Sequence, residues 1–350
     1  MNQHFSRRKF VRNALITGAG LSLSNSVPAV YAKEHNAVAP GKRVGLIGLD
    51  TSHVVAITKA LNDPKPGAGW GGYKVTAAYP TKGSADMKAS IERLAGFTEQ
   101  VKKQGVEIVG SIEDLLKKVD VVMLESVDGR RHLDEALPVI KSGKRMFIDK
   151  PIAASLADAM LIFDAAKKYN NPVFSASSLR YITGAKEVRG GRSGKILGVD
   201  AYGDCYIEPN HPDLFYYGIH GMEILYALMG TGCKSVSRTH LEKTDMVVGV
   251  WNDDRIGSYR GTRSGTGDMG ATVFCEKAIE ILNKSDGYDP LWVNVIGFFD
   301  TGVIPVSPEE TLEEFAFMEA ADESKLKGGA SVSIASIMER ARQKADRRRI

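Results

Sequence analysis

The stretch Arg43-Val-Gly-Leu-Ile-Gly-Leu-Asp-Thr-Ser-His53 combines a short apolar run, a glycine turn and the start of a helical pattern. This order is typical of the dinucleotide-binding motif G-x-G-x-x-G. Its first glycine makes the turn, its second lets the backbone approach the diphosphate, and its third allows the helix to pack closely on the strand. Only the first glycine, Gly48, is present, and Asp50 and His53 occupy the other two positions. The stretch predicts a Rossmann fold with an altered cofactor seat.

Strand-like and helix-like segments alternate from this stretch as far as residue 176. The predicted strands are residues 43–49, 73–79, 106–109, 121–125, 145–148 and 173–176, and the predicted helices are residues 54–61, 85–104, 112–119, 132–142 and 154–169. Such alternation predicts a doubly wound parallel sheet. We assign residues 42–180 to this nucleotide-binding domain.

After Arg180 the pattern changes to strand-like runs with few helices between them. The predicted strands are residues 196–207, 235–240, 245–252, 255–260 and 271–275, and only residues 220–228, 309–327 and 332–344 are clearly helical. Strands without crossover helices favour an antiparallel sheet. The predicted fold class is α/β: a Rossmann doubly wound parallel sheet, then an α+β domain at residues 181–350 with a largely antiparallel open sheet.

The composition is that of an ordinary globular protein, with 350 residues, 43% apolar and 25% charged. This length suits roughly two domains of about 150 residues each. The formal charge of +4 comes entirely from the first 32 residues, which contain Arg7, Arg8, Lys9 and Arg12 and no acidic residue. Because the remainder is formally neutral, nothing in the charge favours nucleic acid or an anionic surface as a partner.

The first 32 residues have the order of an export signal. The arginine pair Arg7-Arg8 precedes a weakly apolar run at residues 14–23, and Val30-Tyr31-Ala32 resembles a cleavage site. This order predicts a twin-arginine signal peptide at residues 1–32 and a periplasmic or otherwise exported protein. A basic leader without a signal function is the alternative. The apolar run is too short to span a bilayer, and no later segment reaches about 18 uninterrupted apolar residues, so no membrane span is expected in the mature chain.

Several short motifs later in the chain are informative through the order in which they occur. They are His132 at a helix start, Asp149-Lys150-Pro151 between a strand and a helix, Arg180 at the end of the first domain, Gly194-Lys-Ile-Leu-Gly198, Gly218-Ile-His220-Gly-Met-Glu223, and residues 324–332. None of them is specific alone. Together they resemble the Gfo/Idh/MocA family of sugar and polyol oxidoreductases, and the resemblance covers nearly all of the chain after the leader.

The resemblance implies that NAD or NADP binds the first domain and that a sugar or sugar derivative lies between the two domains. Lys150 and His220 would then be the catalytic residues at the reacting carbon, because hydride transfer needs a group that takes the hydroxyl proton. Arg180, His211 and Tyr216 are the expected substrate-binding residues, Tyr216 standing where the family commonly has an aspartate. The resemblance also implies a homodimer or homotetramer.

The cofactor seat departs from the family pattern. The residues assigned to it are Gly48, Asp50, Thr51, Ser52, His53, Thr81, Lys82, Ser126, Asp149 and Lys150. The second strand ends without the acid that holds the ribose of NAD, whereas Thr81 and Lys82 suit the 2′-phosphate of NADP. A carboxylate about 4 Å from a phosphate costs roughly 1 kcal/mol in water and about 4 kcal/mol at a surface-like dielectric. The usual dinucleotide pose therefore requires Asp50 to point away.

Alternatives remain at this seat. Asp50, Thr51 and Ser52 are all good helix N-cap residues and would compete with a phosphate for the same N–H groups. In another interpretation Asp50, His53 and Lys150 form a remodelled polar site.

Two other functions are open: a non-redox carbohydrate lyase, hydrolase or epimerase in the same cleft, and a non-catalytic carbohydrate-binding protein. Metal assistance in the former would draw on Asp204, Cys205, His211, His220 and Glu223. The leading interpretation has no metal site, because no H-E-x-x-H or C-x-x-C spacing occurs. The three widely spaced cysteines, Cys205, Cys233 and Cys275, predict buried free thiols rather than a disulfide framework.

Overall fold

The computed structural model describes residues 42–63 and 70–348. The predicted export signal at residues 1–32 lies outside the described residues. No helix within the described ranges is both long enough and apolar enough to cross a membrane.

The first sheet has six parallel strands in the order β3-β2-β1-β4-β5-β6. The strands are β1 Arg43–Ile47, β2 Lys74–Tyr79, β3 Glu107–Ile108, β4 Val121–Leu124, β5 Met146–Asp149 and β6 Val173–Ala176. The helices that cover them are α1 His53–Asn62, α2 Lys88–Lys103, α3 Ile112–Leu116, α4 His132–Ser142 and α5 Leu156–Lys168. This is the predicted Rossmann sheet, and its strand order reverses between β1 and β4.

The strands of this sheet are apolar because helices bury both of its faces. Every residue of β4, β5 and β6 is buried, as expected for central parallel strands. Local signals set the helix ends: Ser155 caps α5 by accepting a hydrogen bond from the backbone N–H of Asp158, and α4 ends at Gly143, whose φ is 75°. A glycine adopts this left-handed conformation at little cost.

The second sheet has the order β12-β11-β7-β10-β9-β8-β13. Its strands are β7 Ile196–Asp204, β8 Cys233–Leu241, β9 Thr244–Trp251, β10 Ile256–Thr262, β11 Gly270–Cys275, β12 Ile279–Leu282 and β13 Val332–Ser333. The helices of this half are α6 Ala185–Arg189, α7 Asp213–Tyr216, α8 Ile219–Met229, α9 Asp289–Thr301, α10 Pro308–Leu326 and α11 Ile334–Arg347. All pairings are antiparallel except that of β7 with β10, so the predicted largely antiparallel sheet is confirmed.

The prediction that only three segments after Arg180 are clearly helical is wrong. Helix α9 was missed because its aromatic and β-branched residues favour strands. Better signals were Pro290 in its first turn and Gly302 just past its end, which has φ of 76°. Helix α9 packs back onto the first sheet, where Phe298 meets Phe174 with ring centroids 5.1 Å apart. This return places Tyr288, the residue before α9, beside the start of α1.

Candidate functional site

The carboxyl ends of β4 and β5 and the start of α1 bring four ionisable side chains together. His53 Nδ1 donates a hydrogen bond of 2.9 Å to Asp149 Oδ2. Glu125 Oε2 is 3.9 Å from the same nitrogen, and Lys150 Nζ is 3.5 Å from Asp149 Oδ2. We call His53, Glu125, Asp149 and Lys150 the switch-point cluster, because they lie where the strand order of the sheet reverses. Of the residues proposed for a remodelled polar site, His53 and Lys150 belong to it.

The two carboxyl groups of this cluster have opposite pKa shifts. Burial and the neighbouring charge of Asp149 raise the pKa of Glu125 well above its ordinary 4.5. Burial also opposes the ionisation of Asp149, but the charges of His53 and Lys150 outweigh it and lower the pKa of Asp149. Asp149 therefore stays ionised while Glu125 favours its neutral form. Pairs of groups whose pKa values are driven apart are typical of functional sites.

His220 comes to the cluster from the second domain, in the first turn of α8. It is half-buried, and its Nδ1 shares a hydrogen bond of 2.7 Å with Ser177 Oγ, just after β6. Burial, and then the positive charge of Lys150, lower the pKa of His220 well below its ordinary 6.5. The imidazole is therefore neutral at neutral pH and lies within the electrostatic reach of Lys150.

An aromatic wall covers one side of the cluster. The ring of Tyr288 contacts His53 edge-on with centroids 5.0 Å apart and stacks on Trp292 at 5.3 Å. Burial raises the pKa of Tyr288 to about 12, so its phenol keeps its proton. A small cavity of about 10 Å³ lies here, lined by His53, Ile57, Glu125, Phe147, Asp149, Tyr288, Leu291 and Trp292. Sequence reasoning had identified neither Tyr288 nor Glu125.

Asp50 turns away from the helix that it precedes. Its carboxylate is buried and accepts hydrogen bonds from the backbone N–H of Val127 at 2.9 Å and from Ser90 Oγ at 2.5 Å. The capping prediction is therefore wrong for Asp50. It is also wrong for Ser52, which makes no side-chain capping bond. Thr51 Oγ1 accepts only a long bond of 3.4 Å from the N–H of His53.

The start of α1 fits the diphosphate of a dinucleotide. The first turn contains no acidic residue, and the N-cap residue Ser52 makes no side-chain bond to its N–H groups. Gly48 has φ of 81°, and a Cβ there would lie 2.3 Å from Ser126 Oγ, so this turn requires glycine. Ser126 itself donates to Glu135 at 2.6 Å. Because Asp50 points away, the N–H groups of α1 remain suited to an anion.

A second polar network joins the segments that follow β2 and β4. Residues 81–87, after β2, are tied to residues 126–131, after β4. Ser84 Oγ donates to Asp128 at 2.5 Å, Arg131 donates to the carbonyl of Gly83, and Arg130 pairs with both Asp128 and Asp86 at 2.7 and 2.8 Å. We call this network the loop bridge.

Thr81 and Lys82, which were predicted to favour NADP, lie in residues 81–87, the segment after β2 that the loop bridge connects to the segment after β4. Thr81 is buried with φ of 62°, and its Oγ1 accepts from the N–H of Gly83 at 3.3 Å, whereas Lys82 is exposed.

Opposing effects set the charge of Asp128 in the loop bridge. Burial opposes its ionisation, but hydrogen bonds from Arg130 and Ser84 outweigh burial and lower the pKa of Asp128 to about 2.

The predicted substrate residues lie in separate places. His211 is buried, its Nε2 has no hydrogen-bond partner, and burial lowers its pKa to about 4. Tyr216 lies 5.7 Å from it, ring to ring, and burial raises the pKa of Tyr216. The charges of Asp128 and Arg130 act on His211, which places this pair on the side of the loop bridge.

Two further motif residues have structural partners. The Arg180 guanidinium is buried in ion pairs with Glu223, at 2.8 Å, and with Glu310. His132 is buried, and its two ring nitrogens lie 2.7 Å from the carbonyl of Ser126 and 2.9 Å from that of Pro151. His132 thus ties together the two segments that follow β4 and β5.

The structure also tests the predictions for the cysteines and for the alternative metal ligands. All three cysteines are free and buried, as predicted. Among the described residues, only His53, Glu125 and Asp149 form a group of three or more ligating side chains whose donor atoms lie within 4.8 Å of one another. The alternative ligands drawn from Asp204, Cys205, His211, His220 and Glu223 do not form such a group.

Comparison with known proteins agrees with the fold. Residues 42–177 match the family model GFO_IDH_MocA, described as an oxidoreductase family with an NAD-binding Rossmann fold. The match covers the six parallel strands of the first sheet and the helices that pack on them. An uncharacterised oxidoreductase of Escherichia coli, YhhX, is 25% identical over 36% of this chain and 40% of its own length. Inositol 2-dehydrogenase 3 of Saccharopolyspora erythraea is 26% identical over 42% of this chain and 39% of its own length.

Solved structures extend the likeness in fold to the second domain. A probable dehydrogenase from Thermotoga maritima has a TM-score of 0.68 at 18% identity, covering 84% of this chain and 99% of that one. Scyllo-inositol dehydrogenase from Lactobacillus casei, with bound NAD(H) and scyllo-inositol, has a TM-score of 0.64 at 14% identity, with coverages of 84% and 99%. The likeness in fold therefore extends over both sheets.

Proposed function

We propose that this protein is an NAD(P)-dependent oxidoreductase that moves a hydride between a carbon of a sugar or polyol and the nicotinamide ring. The observation that carries the proposal is the hydrogen bond of 2.7 Å between His220 Nδ1 and Ser177 Oγ, just after β6, together with the charge of Lys150 that acts on the same imidazole. The NAD-binding description of the family model and the inositol dehydrogenases among its relatives support it.

The two side chains have complementary tasks. When Nδ1 of His220 donates to Ser177 Oγ, Nε2 keeps its lone pair and takes the hydroxyl proton of the substrate. Lys150, positioned by Asp149, stabilises the negative charge that develops on the same oxygen. A bound nicotinamide supplies the hydride acceptor. Its diphosphate would be held by the first-turn N–H groups of α1, and Thr81 and Lys82 would favour a 2′-phosphate.

The test starts with the full chain as purified. We expect mass spectrometry of the denatured protein to detect NAD or NADP, or calorimetry to show that one of the two binds. We also expect reduced nicotinamide to form when the protein meets inositols or simple sugars. Protein that carries no dinucleotide and binds neither cofactor would contradict the proposal.

A second candidate is a non-redox sugar enzyme in the same cleft. The hydrogen bonds of the loop bridge cross from the end of β2 to the end of β4, next to the diphosphate seat. This candidate predicts that sugar is converted without any change in nicotinamide, and that Lys150→Ala and His220→Ala abolish the conversion. Oxidation of sugar coupled to nicotinamide reduction would exclude it.

The place of action also belongs to this proposal. The arginine pair and cleavage site in residues 1–32 support export through the twin-arginine pathway. A fusion of residues 1–41 to a reporter protein, followed in a strain with and without twin-arginine transport, tests this. We expect export only in the first strain.

A further inference from the structure

Three members of the switch-point cluster present donor atoms to one another in the manner of ligands. His53 offers Nδ1, and Glu125 and Asp149 each offer a carboxylate oxygen, all within 4.8 Å of one another. The closest pair is 2.9 Å apart, and Glu125 Oε2 lies 3.9 Å from His53 Nδ1. Ligands of one metal ion at about 2.0–2.2 Å have separations in this range. The three residues come from three different segments that converge at the sheet edge.

Glu125 gives a second, independent reason to expect a ligand. It is 2% exposed, and its side chain takes part in none of the hydrogen bonds among the described residues, since its ion pair with His53 Nδ1 is 3.9 Å long. A buried polar group without a partner is costly, and nearly all such groups in native proteins are satisfied. Its side chain lines the cavity of about 10 Å³ together with His53 and Asp149. A space of this size holds about one water molecule, and therefore one small ion.

We propose that His53, Glu125 and Asp149 bind one divalent cation in this cavity. One imidazole nitrogen and two carboxylates suit Zn²⁺ or Mn²⁺. On binding, His53 Nδ1 and the Glu125 carboxyl group each release a proton to solvent, and the hydrogen bond between His53 and Asp149 is replaced by bonds from both residues to the ion. Three protein ligands leave a coordination position for water or for a substrate oxygen, and only this last role rests on the proposed function.

The positive charge of Lys150 lowers the affinity of this site for a cation. Its Nζ lies 3.5 Å from Asp149 Oδ2 and carries a charge of the same sign as the ion. The affinity should therefore be moderate in the natural chain and higher in Lys150→Ala. A surface carboxylate or an unrelated metal contaminant would show no such response to Lys150.

The test is calorimetry of the full chain after treatment with a chelator, with Zn²⁺ and Mn²⁺ titrated separately. We expect one equivalent of at least one of the two ions to bind. Glu125→Gln, Asp149→Asn and His53→Gly should each weaken binding more than about tenfold. Lys150→Ala should strengthen it, and the exposed control Glu242→Gln should leave it unchanged.

Two further measurements keep the outcome decisive. Near-ultraviolet circular dichroism identifies any variant that fails to fold. If another variant fails, the conclusion rests on Glu125→Gln, because glutamine has the same size as glutamate. Binding of neither ion, or binding that Glu125→Gln leaves intact, overturns the proposal. Because dinucleotide binding is measured separately on the same preparation, loss of the cation site and loss of the oxidoreductase function are distinguishable.

Discussion

The switch-point cluster and the loop bridge each contain a buried carboxyl group, but they differ in how completely that group is hydrogen-bonded. In the loop bridge, Asp128 accepts from Ser84 and Arg130, and its pKa falls to about 2. In the switch-point cluster, the Glu125 side chain has an ion pair of 3.9 Å with His53 but no hydrogen bond among the described residues, and its pKa rises while that of Asp149 falls. The difference shows that density of polar groups is a poor guide to chemistry. Unused bonding capacity and opposed pKa shifts are better guides.

The largest expected difference between the switch-point cluster and the loop bridge is in the effect of substitutions on kcat. Lys150→Met and His220→Ala should each lower kcat by about 10²–10⁴-fold, because each removes a group that handles a proton or a developing charge. Dinucleotide binding should change little in His220→Ala, whose side chain comes from the second domain and is not assigned to the cofactor seat. Steady-state kinetics with a separate binding measurement tests this.

The matched control lies in the loop bridge, where Asp86→Asn removes one half of an exposed ion pair. It should leave kcat within about twofold, because such pairs contribute little. If Asp86→Asn lowers kcat as much as His220→Ala, the functional distinction between the switch-point cluster and the loop bridge is wrong.

The next effect is on stability, and it belongs to the loop bridge. Asp128 is ionised in the folded protein down to a pKa of about 2, against an ordinary value of 3.8. This lowered pKa stabilises the folded state above pH 3.8, and the stabilisation disappears as the pH falls from 3.8 toward 2. Asp128→Asn should therefore lower the free energy of unfolding by about 2 kcal/mol at neutral pH.

Denaturant unfolding of both proteins across this pH range measures the difference. We expect the gap between wild type and Asp128→Asn to close in acid. A gap that stays constant with pH would mean that Asp128 acts through packing rather than charge.

The sequence predicted the fold better than it predicted the site, for a physical reason. The strands from β1 to β6 have local signatures of buried apolar runs between helical patterns, and Gly48 has a local conformational need. The partners of Asp50, by contrast, come from the start of α2 and from the segment after β4, and Tyr288 reaches His53 only because α9 returns to the first sheet. Such contacts depend on tertiary packing.

Glu125 is the instructive miss. It was included in a predicted buried strand, where a carboxylate is unusual. An acid at the carboxyl end of a central parallel strand was therefore a signal for the site that the sequence already contained.

The smallest expected effect concerns Asp50, whose substitution should change stability and cofactor affinity in opposite directions. Asp50→Asn keeps an acceptor for the N–H of Val127 but gives up the charge that strengthens the bond from Ser90. We expect the free energy of unfolding to fall by about 1 kcal/mol. Removing the same charge near the diphosphate seat should improve dinucleotide affinity by a few-fold, since a like-charge contact there costs about 1 kcal/mol or more.

Denaturant unfolding and calorimetry with NAD and NADP measure the two changes on one preparation. Ser90→Ala is the matched control: it should lower stability but, because Asp50 keeps its charge, it should not improve affinity. If Asp50→Asn weakens dinucleotide binding, then Asp50 supports the cofactor seat through the position of Val127. The loop bridge would in that case be part of the dinucleotide site and not a structural neighbour of it.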